Sequence, residues 1–185
     1  KVNPYYNKIE AVRLVLLDGF GYFELQDPEI EGDGIKEVKS LKAYSLEYTL
    51  SQKYLELFKV NMGTVDSLEV MYWEEQKKKN PNATLIPITF YNPDTPELSL
   101  LDLILEKVYG WKIGHVDQSL LTMSRQFEVT RQSVYDFIMN EICSKFNCYA
   151  VFDTFNNTIN FYAETAVNKF TGDGNTNTFT VYPVF

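Results

Sequence analysis

The spacing of apolar residues changes along this chain, and that change sets the fold class. In the first half, apolar side chains recur at every second residue, as in residues 11–17 and again in residues 36–50. From about residue 97 they recur at every third or fourth position. A period of two belongs to strands and a period near 3.6 belongs to helices. We therefore expect an α+β fold with an antiparallel, barrel-like sheet and two main helices.

Residues 1–92 are predicted to be mostly β structure. In residues 11–17 both alternating sets are largely apolar, which is typical of a strand covered on both faces. Asp18-Gly19 predicts a hairpin turn into a strand at residues 22–25. A second turn signal, Gly32-Asp33-Gly34, precedes an alternating run that includes Tyr44, Leu46, Tyr48 and Leu50. This order predicts an antiparallel meander that curls into a barrel.

Residues 60–96 show no clear period and are left unassigned within this β region. Residues 74–79 place opposite charges at helical spacing, which favours a solvated turn of helix or a loop. Residues 84–91 are predicted as a further strand. The segment Asn92-Pro93-Asp94-Thr95-Pro96 is rich in turn residues and is the expected linker to a second region, residues 97–165.

Residues 97–165 are predicted to form a helix, a strand, a second helix and a hairpin. Each helix begins with a serine followed three residues later by an aspartate, at Ser99 and at Ser133. The first helix has one apolar face and ends at Gly110. The second has a broad apolar arc, which implies that it is covered on more than one side; the arc comprises Val134, Phe137, Ile138, Ile142 and Phe146. Residues 149–155 and 158–162 then form a hairpin around Asn156-Asn157.

Residues 166–185 are predicted to begin a further β-module or to form a flexible tail. The stretch 170–177 is rich in turn residues, and residues 178–182 alternate like a strand. The chain begins with Lys1 and closes soon after that alternating run, so we expect a segment of a longer polypeptide.

Composition and charge disfavour several classes of function. A net charge of −8 opposes a surface that neutralises phosphate, so no specific nucleic-acid binding is expected. No apolar run approaches the roughly 18 residues of a membrane span, so none is expected. The chain is 45% hydrophobic and 15% aromatic, which is enough material for a packed core.

Motifs that would carry chemistry are scarce. His115 is the single histidine, and no Gly-x-Ser-x-Gly sequence or phosphate-binding glycine loop is present. Cys143 and Cys148 lie five apart, outside the usual spacing of zinc ligands. Asp173, Asn175 and Asn177 imitate the start of a calcium loop, but Thr178 stands where that loop needs glycine. We therefore predict no catalytic residue, no metal and no cofactor, although a carboxylate pair for glycoside cleavage stays open.

The two tryptophans are predicted to play different roles. Trp111 follows the helix-ending Gly110 and is expected to pack back on its helix as a core residue. Trp73 lies in the unassigned segment and is the candidate aromatic contact for a ligand such as a sugar.

Several patterns together resemble a known family. The leucine-rich helix at residues 98–105 followed by Gly110-Trp111-Lys112-Ile113-Gly114 resembles tail proteins of long-tailed phages and prophages. The stretch Arg125-Gln126-Phe127, the helix after Ser133 and the hairpin extend the resemblance, as do residues 21–25 and 36–50 upstream. It covers roughly residues 20–162. The chain is thereby identified as similar to a tail-tip or baseplate hub protein, of the tail-associated lysin-type N-terminal region.

The resemblance implies a virion structural protein and no enzyme in this segment. Related proteins are similar in fold to the baseplate hub of contractile-tailed phages, and they form a homotrimer that closes the tail tube. Implied partners are the distal tail protein and tail fibre or lysin modules, with assembly in the bacterial cytoplasm. An acidic surface suits the lining of a channel through which DNA slides. Two alternatives stay open: a carbohydrate-binding adsorption module that uses Trp73, and a cell-wall hydrolase fragment.

Overall fold

A computed structural model describes residues 6–11, 13–32 and 37–164 of the chain. The turn at Asp33-Gly34, the calcium-loop imitation that begins at Asp173, and the β-module or flexible tail predicted for residues 166–185 lie outside the described residues. The described residues form a mixed α/β structure, whose strands and helices have the following bounds.

The strands are β1 (Leu14–Leu17), β2 (Gly21–Leu25), β3 (Glu29–Gly32), β4 (Glu37–Ser40), β5 (Ala43–Ser45), β6 (Tyr54–Val60), β7 (Lys112–Val116), β8 (Phe127–Ser133), β9 (Cys148–Asp153) and β10 (Thr158–Ala163). The α-helices are α1 (Leu68–Lys79), α2 (Leu100–Leu105), α3 (Val134–Asp136) and α4 (Cys143–Phe146), with a π-helical segment (Phe137–Ile142) joining the last two. Short 3-10 helices occupy Tyr6–Lys8, Leu46–Gln52 and Pro96–Leu98.

The described strands form four sheets. Two have three strands, in the orders β1-β2-β5 and β7-β10-β9, and two are the pairs β3-β4 and β6-β8. All pairings are antiparallel except that of β7 with β10. The α+β class with antiparallel sheet is confirmed. Within the described ranges the strands do not close into a barrel.

The first hairpin forms at the predicted turn. β1 pairs with β2 from Leu14↔Glu24 to Leu17↔Gly21, and Gly19 in the turn has φ 78°. That backbone conformation is one that glycine adopts without the steric cost of a Cβ. The expected coverage of this strand on both faces is wrong for the chain on its own, because all four residues of β1 are exposed.

The long strand predicted through Leu50 ends earlier. β5 stops at Ser45, and Leu46–Gln52 form a 3-10 helix with Leu50 completely buried. Side chains hold this helix locally: Thr49 Oγ1 donates to the carbonyl of Leu46 at 2.6 Å, and Ser51 Oγ donates to that of Tyr48 at 2.7 Å. Such bonds to carbonyls three residues back favour a turn over an extended strand.

The unassigned middle segment contains α1, which includes the charged run at residues 74–79. The strand predicted over residues 84–91 is reduced to one parallel bridge between Thr89 and Ser99. β6 precedes the predicted linker and β8 follows that linker. The two strands pair from Tyr54↔Ser133 to Val60↔Phe127. The division at residues 92–97 stays a prediction about domain organisation.

Both predicted helix starts are confirmed. Ser99 Oγ accepts from the backbone N–H of Asp102 at 3.4 Å, and Ser133 Oγ accepts from that of Asp136 at 3.1 Å. α2 ends at Leu105, before a turn that reaches Gly110 with φ 93°. The broad apolar arc of the second helical stretch is buried throughout, as predicted; its members are Val134, Phe137, Ile138, Ile142 and Phe146.

The second helical stretch contains one wider turn. Within Phe137–Ile142 the backbone is π-helical, and the N–H of Cys143 donates to the carbonyl of Ile138, five residues back. α4 then ends at Asn147, which has φ 51° and donates to the carbonyls of Cys143 and Ser144. The left-handed cap turns the chain directly into β9.

The hairpin β9-β10 is confirmed and lies beside the predicted strand β7. Pairing runs from Thr158↔Asp153 to Ala163↔Cys148, and Asn157 in the turn has φ 53°. β7 joins the other edge of β10 in parallel, with a register shift between Ile159 and Phe161. The inward side chains Ile159 and Phe161 are fully buried.

The core of the described chain lies between residues 50 and 161. Its largest fully buried side chains include Phe90, Phe127, Phe137 and Phe161. Edge-to-face contacts join Phe90 to Phe161, with 5.4 Å between the ring centroids, and Phe127 to Phe137, with 5.2 Å. Before residue 50, Leu25 is the one apolar side chain of the described residues that belongs to the buried set. The first sheet and the β3-β4 pair therefore lie outside the main core.

Candidate functional site

The most unusual surface of the described chain is an apolar one on the first hairpin. Leu14, Val15, Leu16 and Leu17 are 58, 40, 51 and 51% exposed, and Phe20 in the turn is 75% exposed. β1 is also the edge strand of its sheet, so among the described residues one of its two backbone edges is unpaired. We call these five residues the β1 patch. Because side chains alternate along a strand, Leu14 and Leu16 lie on one face of the sheet, and their neighbours in β1 lie on the other. Exposed apolar side chains on both faces of an open edge strand are typical of an interaction site.

A second exposed element follows immediately. The β3-β4 pair is a two-stranded arm with Ile30 59% and Val38 46% exposed, and Leu41 beyond it is 46% exposed. An isolated two-stranded hairpin is marginally stable in water. The segment around Tyr6 supports it, because Lys39 Nζ donates to the Tyr6 carbonyl at 3.0 Å and lies 4.3 Å from that ring's centroid.

One close contact joins the first sheet to the last hairpin. Thr154 is buried in the β9-β10 turn, and its Oγ1 accepts from the backbone N–H of Tyr22 at 3.0 Å. The Tyr22 ring meets Phe155 edge to face at 5.8 Å. Gly21 has φ 118°, and a Cβ there would lie 2.1 Å from Thr154 Oγ1. Glycine is required at this position because both the backbone angle and the space exclude a side chain.

The single histidine forms a pair with an aspartate. His115 Nε2 lies 2.9 Å from Asp117 Oδ1, and the imidazole stacks on Tyr162 at 5.1 Å. The hydrogen bond with His115, together with one from the backbone N–H of Ala163 at 2.8 Å, holds the pKa of Asp117 below its ordinary value. In the described residues the His115 side chain makes no hydrogen bond to a serine or a cysteine.

The glycine of the Gly-Trp-x-Ile-Gly pattern has a structural explanation. Asn160 Oδ1 accepts from the backbone N–H of His115 at 2.7 Å, so its amide passes over Gly114. A Cβ at Gly114 would lie 2.2 Å from that oxygen. The glycine at position 114 therefore leaves room for the Asn160 side chain, which joins β10 to β7 at the register shift. The spacing of apolar residues does not reveal this role of Asn160.

The tryptophans and cysteines lie as follows. Trp111 is buried, as predicted; its Nε1 donates to Thr49 Oγ1 at 3.3 Å. Trp73 is half-buried, its Nε1 donates to the carbonyl of Ala83 at 2.8 Å, and Lys77 Nζ lies 4.2 Å from its ring centroid. The cysteines, Cys143 and Cys148, are hydrogen-bonded to each other, and this bond with burial raises the pKa of Cys148.

The carboxylate of Glu69 is buried, which the sequence did not predict. Glu69 is 3% exposed and accepts from the backbone N–H groups of Asn61 at 2.7 Å and Gly63 at 2.8 Å. Asn61, with φ 56°, also ties its side-chain amide to Ile88 and Ser124. Glu69 thus closes the loop between β6 and α1, and its hydrogen bonds to backbone give it a structural use.

The described residues contain no group of three or more His, Cys, Asp or Glu side chains placed to hold a metal ion. No helix among them has both the length and the apolar content needed to cross a bilayer.

Comparison with known proteins gives one finding. No curated protein and no solved structure matches the chain. Residues 98–161, about a third of the chain, match the family model of the prophage endopeptidase tail domain. The matched span begins just before α2 and ends within β10, so it contains the two capped helices and most of the β7-β10-β9 sheet. This match supports a phage tail protein and fits a component of the virion tail.

Proposed function

We propose that the chain is a structural segment of a phage or prophage tail tip, of the baseplate hub kind, and that it assembles through the β1 patch. The observation that carries the proposal is the contrast between its two parts. Residues matched by the prophage tail family share one core with residues 50–90, whereas β1 and the β3-β4 pair leave their apolar side chains exposed. A tail component is built to bury such a surface against its neighbours.

The energy available from this surface is substantial. Full burial of a Leu, Val or Phe side chain contributes about 1.5–3 kcal/mol. The five side chains of the β1 patch are 40–75% exposed. Covering them would therefore yield on the order of 5 kcal/mol per copy. Backbone pairing along the open edge of β1 would add hydrogen bonds that are not made within residues 6–11, 13–32 and 37–164.

The assembled form that follows is a homotrimer that closes the tail tube. In this proposal the barrel-like arrangement arises between copies, when the open sheet β1-β2-β5 continues into a neighbouring chain. The distal tail protein lies on one side, and tail fibre or lysin modules are anchored on the other. Assembly takes place in the bacterial cytoplasm, and the chain is then part of the virion.

The chain itself is proposed to catalyse nothing. The endopeptidase in the name of the matched family would need a nucleophile or a metal near its general base. Among the described residues the His115 side chain is hydrogen-bonded to Asp117, and no serine or cysteine is bonded to it as a nucleophile would be. The buried carboxylate of Glu69 is held by backbone N–H groups.

The assembly role is tested in the phage or prophage that encodes the chain. Leu16→Lys places a charge in the β1 patch, and we expect tails that lack a tip, or no tails, in negative-stain electron micrographs. Val65→Lys is the matched control, since Val65 is 89% exposed and lies outside the patch. Normal tails with Leu16→Lys, from a protein that is expressed and folded, would refute the proposal.

Catalysis is tested separately with purified chain on peptidoglycan in a zymogram. We expect no clearing. A clearing zone that Asp117→Asn or Glu69→Gln abolishes would overturn the non-enzymatic assignment and favour the cell-wall hydrolase alternative.

A further inference from the structure

A cleft of about 270 Å³ opens between the 3-10 helix Leu46–Gln52 and the start of α3. Three of its six lining residues are tyrosines, two are serines and one is a glutamate. The lining comprises Tyr44, Ser45, Glu47, Tyr48, Ser51 and Tyr135. We call it the tyrosine cleft. It lies apart from the β1 patch, and ligand binding to the purified chain can be tested without the assembly proposed above.

The aromatic walls of the cleft are exposed but ordered. Tyr44 and Tyr48 are 43 and 46% exposed, and their rings stack on each other at 4.5 Å with an angle of 22° between the planes. Tyr135 stacks on the half-buried Phe152 at 5.7 Å and 24°. Each ring is therefore held by a neighbour before any ligand arrives, which lowers the entropy cost of binding.

The polar groups are also held in place. Ser45 Oγ donates to Glu47 Oε2, and Ser51 Oγ donates to the carbonyl of Tyr48 at 2.7 Å. The 3-10 helix that carries them is anchored in the core through Leu50, which is completely buried. The cleft thus places a half-buried carboxylate beside aromatic faces, on three adjoining elements: β5, the 3-10 helix and α3.

We propose that the tyrosine cleft binds a neutral hexopyranose ring. The apolar C–H face of such a sugar packs on a phenol face, while its hydroxyl groups donate to the Glu47 carboxylate and exchange hydrogen bonds with the phenol and serine hydroxyls. An anionic sugar is disfavoured by Glu47 and by the net charge of −8. A quaternary ammonium ligand is usually enclosed by several ring faces, whereas Tyr44 and Tyr48 are nearly parallel.

The tyrosine cleft is a better candidate for carbohydrate binding than Trp73. Trp73, the aromatic contact predicted from sequence, already uses its N–H on Ala83 and has the Lys77 ammonium over its ring. The tyrosine cleft offers three phenol groups and a carboxylate in one concave site. A tail-tip segment with such a cleft would make a sugar contact of its own, in addition to its structural role.

The test is titration of the whole chain with methyl glucoside, methyl galactoside, methyl mannoside and N-acetylglucosamine, with binding measured by saturation-transfer NMR. We expect saturable binding of at least one of them. Tyr48→Ala should weaken it about tenfold, as expected from the loss of one aromatic stack. Glu47→Gln should weaken it as well. Tyr109→Ala is the matched control, because Tyr109 is fully exposed and lies outside the cleft.

Three results would overturn the proposal. The first is absence of saturable binding for all four sugars. The second is binding that neither Tyr48→Ala nor Glu47→Gln weakens, in variants whose thermal unfolding matches that of the parent. The third is saturable binding of tetramethylammonium where the sugars do not bind. Failure of this test leaves the tail phenotype of Leu16→Lys unaffected, so the two proposals are judged independently.

Discussion

Replacement of Gly21 by alanine tests how the exposed first sheet is held on the core. The new Cβ would lie 2.1 Å from Thr154 Oγ1, a distance that no relaxed structure accepts. Thr154 is buried and its hydroxyl accepts the Tyr22 N–H, so the clash and the hydrogen bond cannot both be accommodated. Gly19→Ala is the matched control: Gly19 has φ 78° with no atom within 4 Å of its would-be Cβ.

The magnitudes follow from these geometries. Gly19→Ala should cost about 1 kcal/mol of unfolding free energy, from the left-handed backbone alone. Gly21→Ala adds the loss of a part-buried hydrogen bond, about 1–3 kcal/mol, to a backbone cost of about 1–3 kcal/mol. We therefore expect a total near 4 kcal/mol. Thr154→Ala removes the clashing oxygen and leaves its Cβ at 3.5 Å, an ordinary contact.

The assay is urea unfolding of the four proteins of the double-mutant cycle, followed by circular dichroism and by hydrogen exchange at the Tyr22 amide. Gly21→Ala should be clearly milder in the Thr154→Ala background, with a coupling energy of about 1–2 kcal/mol. Additive costs, or equal effects of Gly19→Ala and Gly21→Ala, would show that the contact with Thr154 does not hold the sheet.

Three further predictions concern single sites. Leu57 has φ 49° inside β6 and is 77% exposed, so Leu57→Asn should raise the unfolding free energy by about 1 kcal/mol, measured by urea unfolding; a decrease would contradict this. Glu69→Gln keeps one acceptor oxygen but sets an NH2 group against the other backbone N–H, and it should cost about 2–3 kcal/mol in the same assay, against almost no cost for the exposed Glu74→Gln. The pKa of Asp117 is lowered by folding, so its stabilising effect is present above the ordinary value of 3.8 and is lost as the pH falls through the folded pKa. The stability difference between the parent and Asp117→Asn should therefore shrink as the pH falls below 3.8, and a difference that persists well below that pH would contradict the lowered pKa of Asp117.

Local signals in the second half of the sequence were sufficient to predict both helix starts, strand β7 and the hairpin, whereas strand β8 was missed and α2 ends at Leu105, before the predicted Gly110. A serine with an aspartate three residues later caps both helices, because the capping bond involves neighbouring residues and needs no distant partner. Asn157 similarly takes the left-handed conformation that a tight hairpin turn requires. The burial of the broad helical arc could be predicted because an arc so wide leaves little polar surface to face water.

Other features depend on long-range partners and were missed. Alternating apolar residues predicted a strand through Leu50, but residues 46–52 form a 3-10 helix. The four-residue spacing of Tyr44 and Tyr48 lets their rings stack at the start of that helix. Helix α1 has only a short apolar stretch near its start, where Val70 is buried, and long-range hydrogen bonds of Glu69 and Trp73 help to hold it. Contacts such as Gly21 with Thr154 join residues more than a hundred positions apart and leave no local pattern.

The π-helical segment Phe137–Ile142 has a consequence for which changes in length the chain can accept. Its wider turn keeps Phe137, Ile142 and Phe146 buried along one stretch. Such a turn holds one residue more than an ordinary helical turn, so removing one residue within it can restore an α-helix and leave the elements on either side in place. The same deletion in α4 would instead rotate the chain beyond it by about 100° about the helix axis and displace the left-handed cap at Asn147 from the start of β9. One-residue deletions should therefore be accepted within the π-helical segment and not in α4.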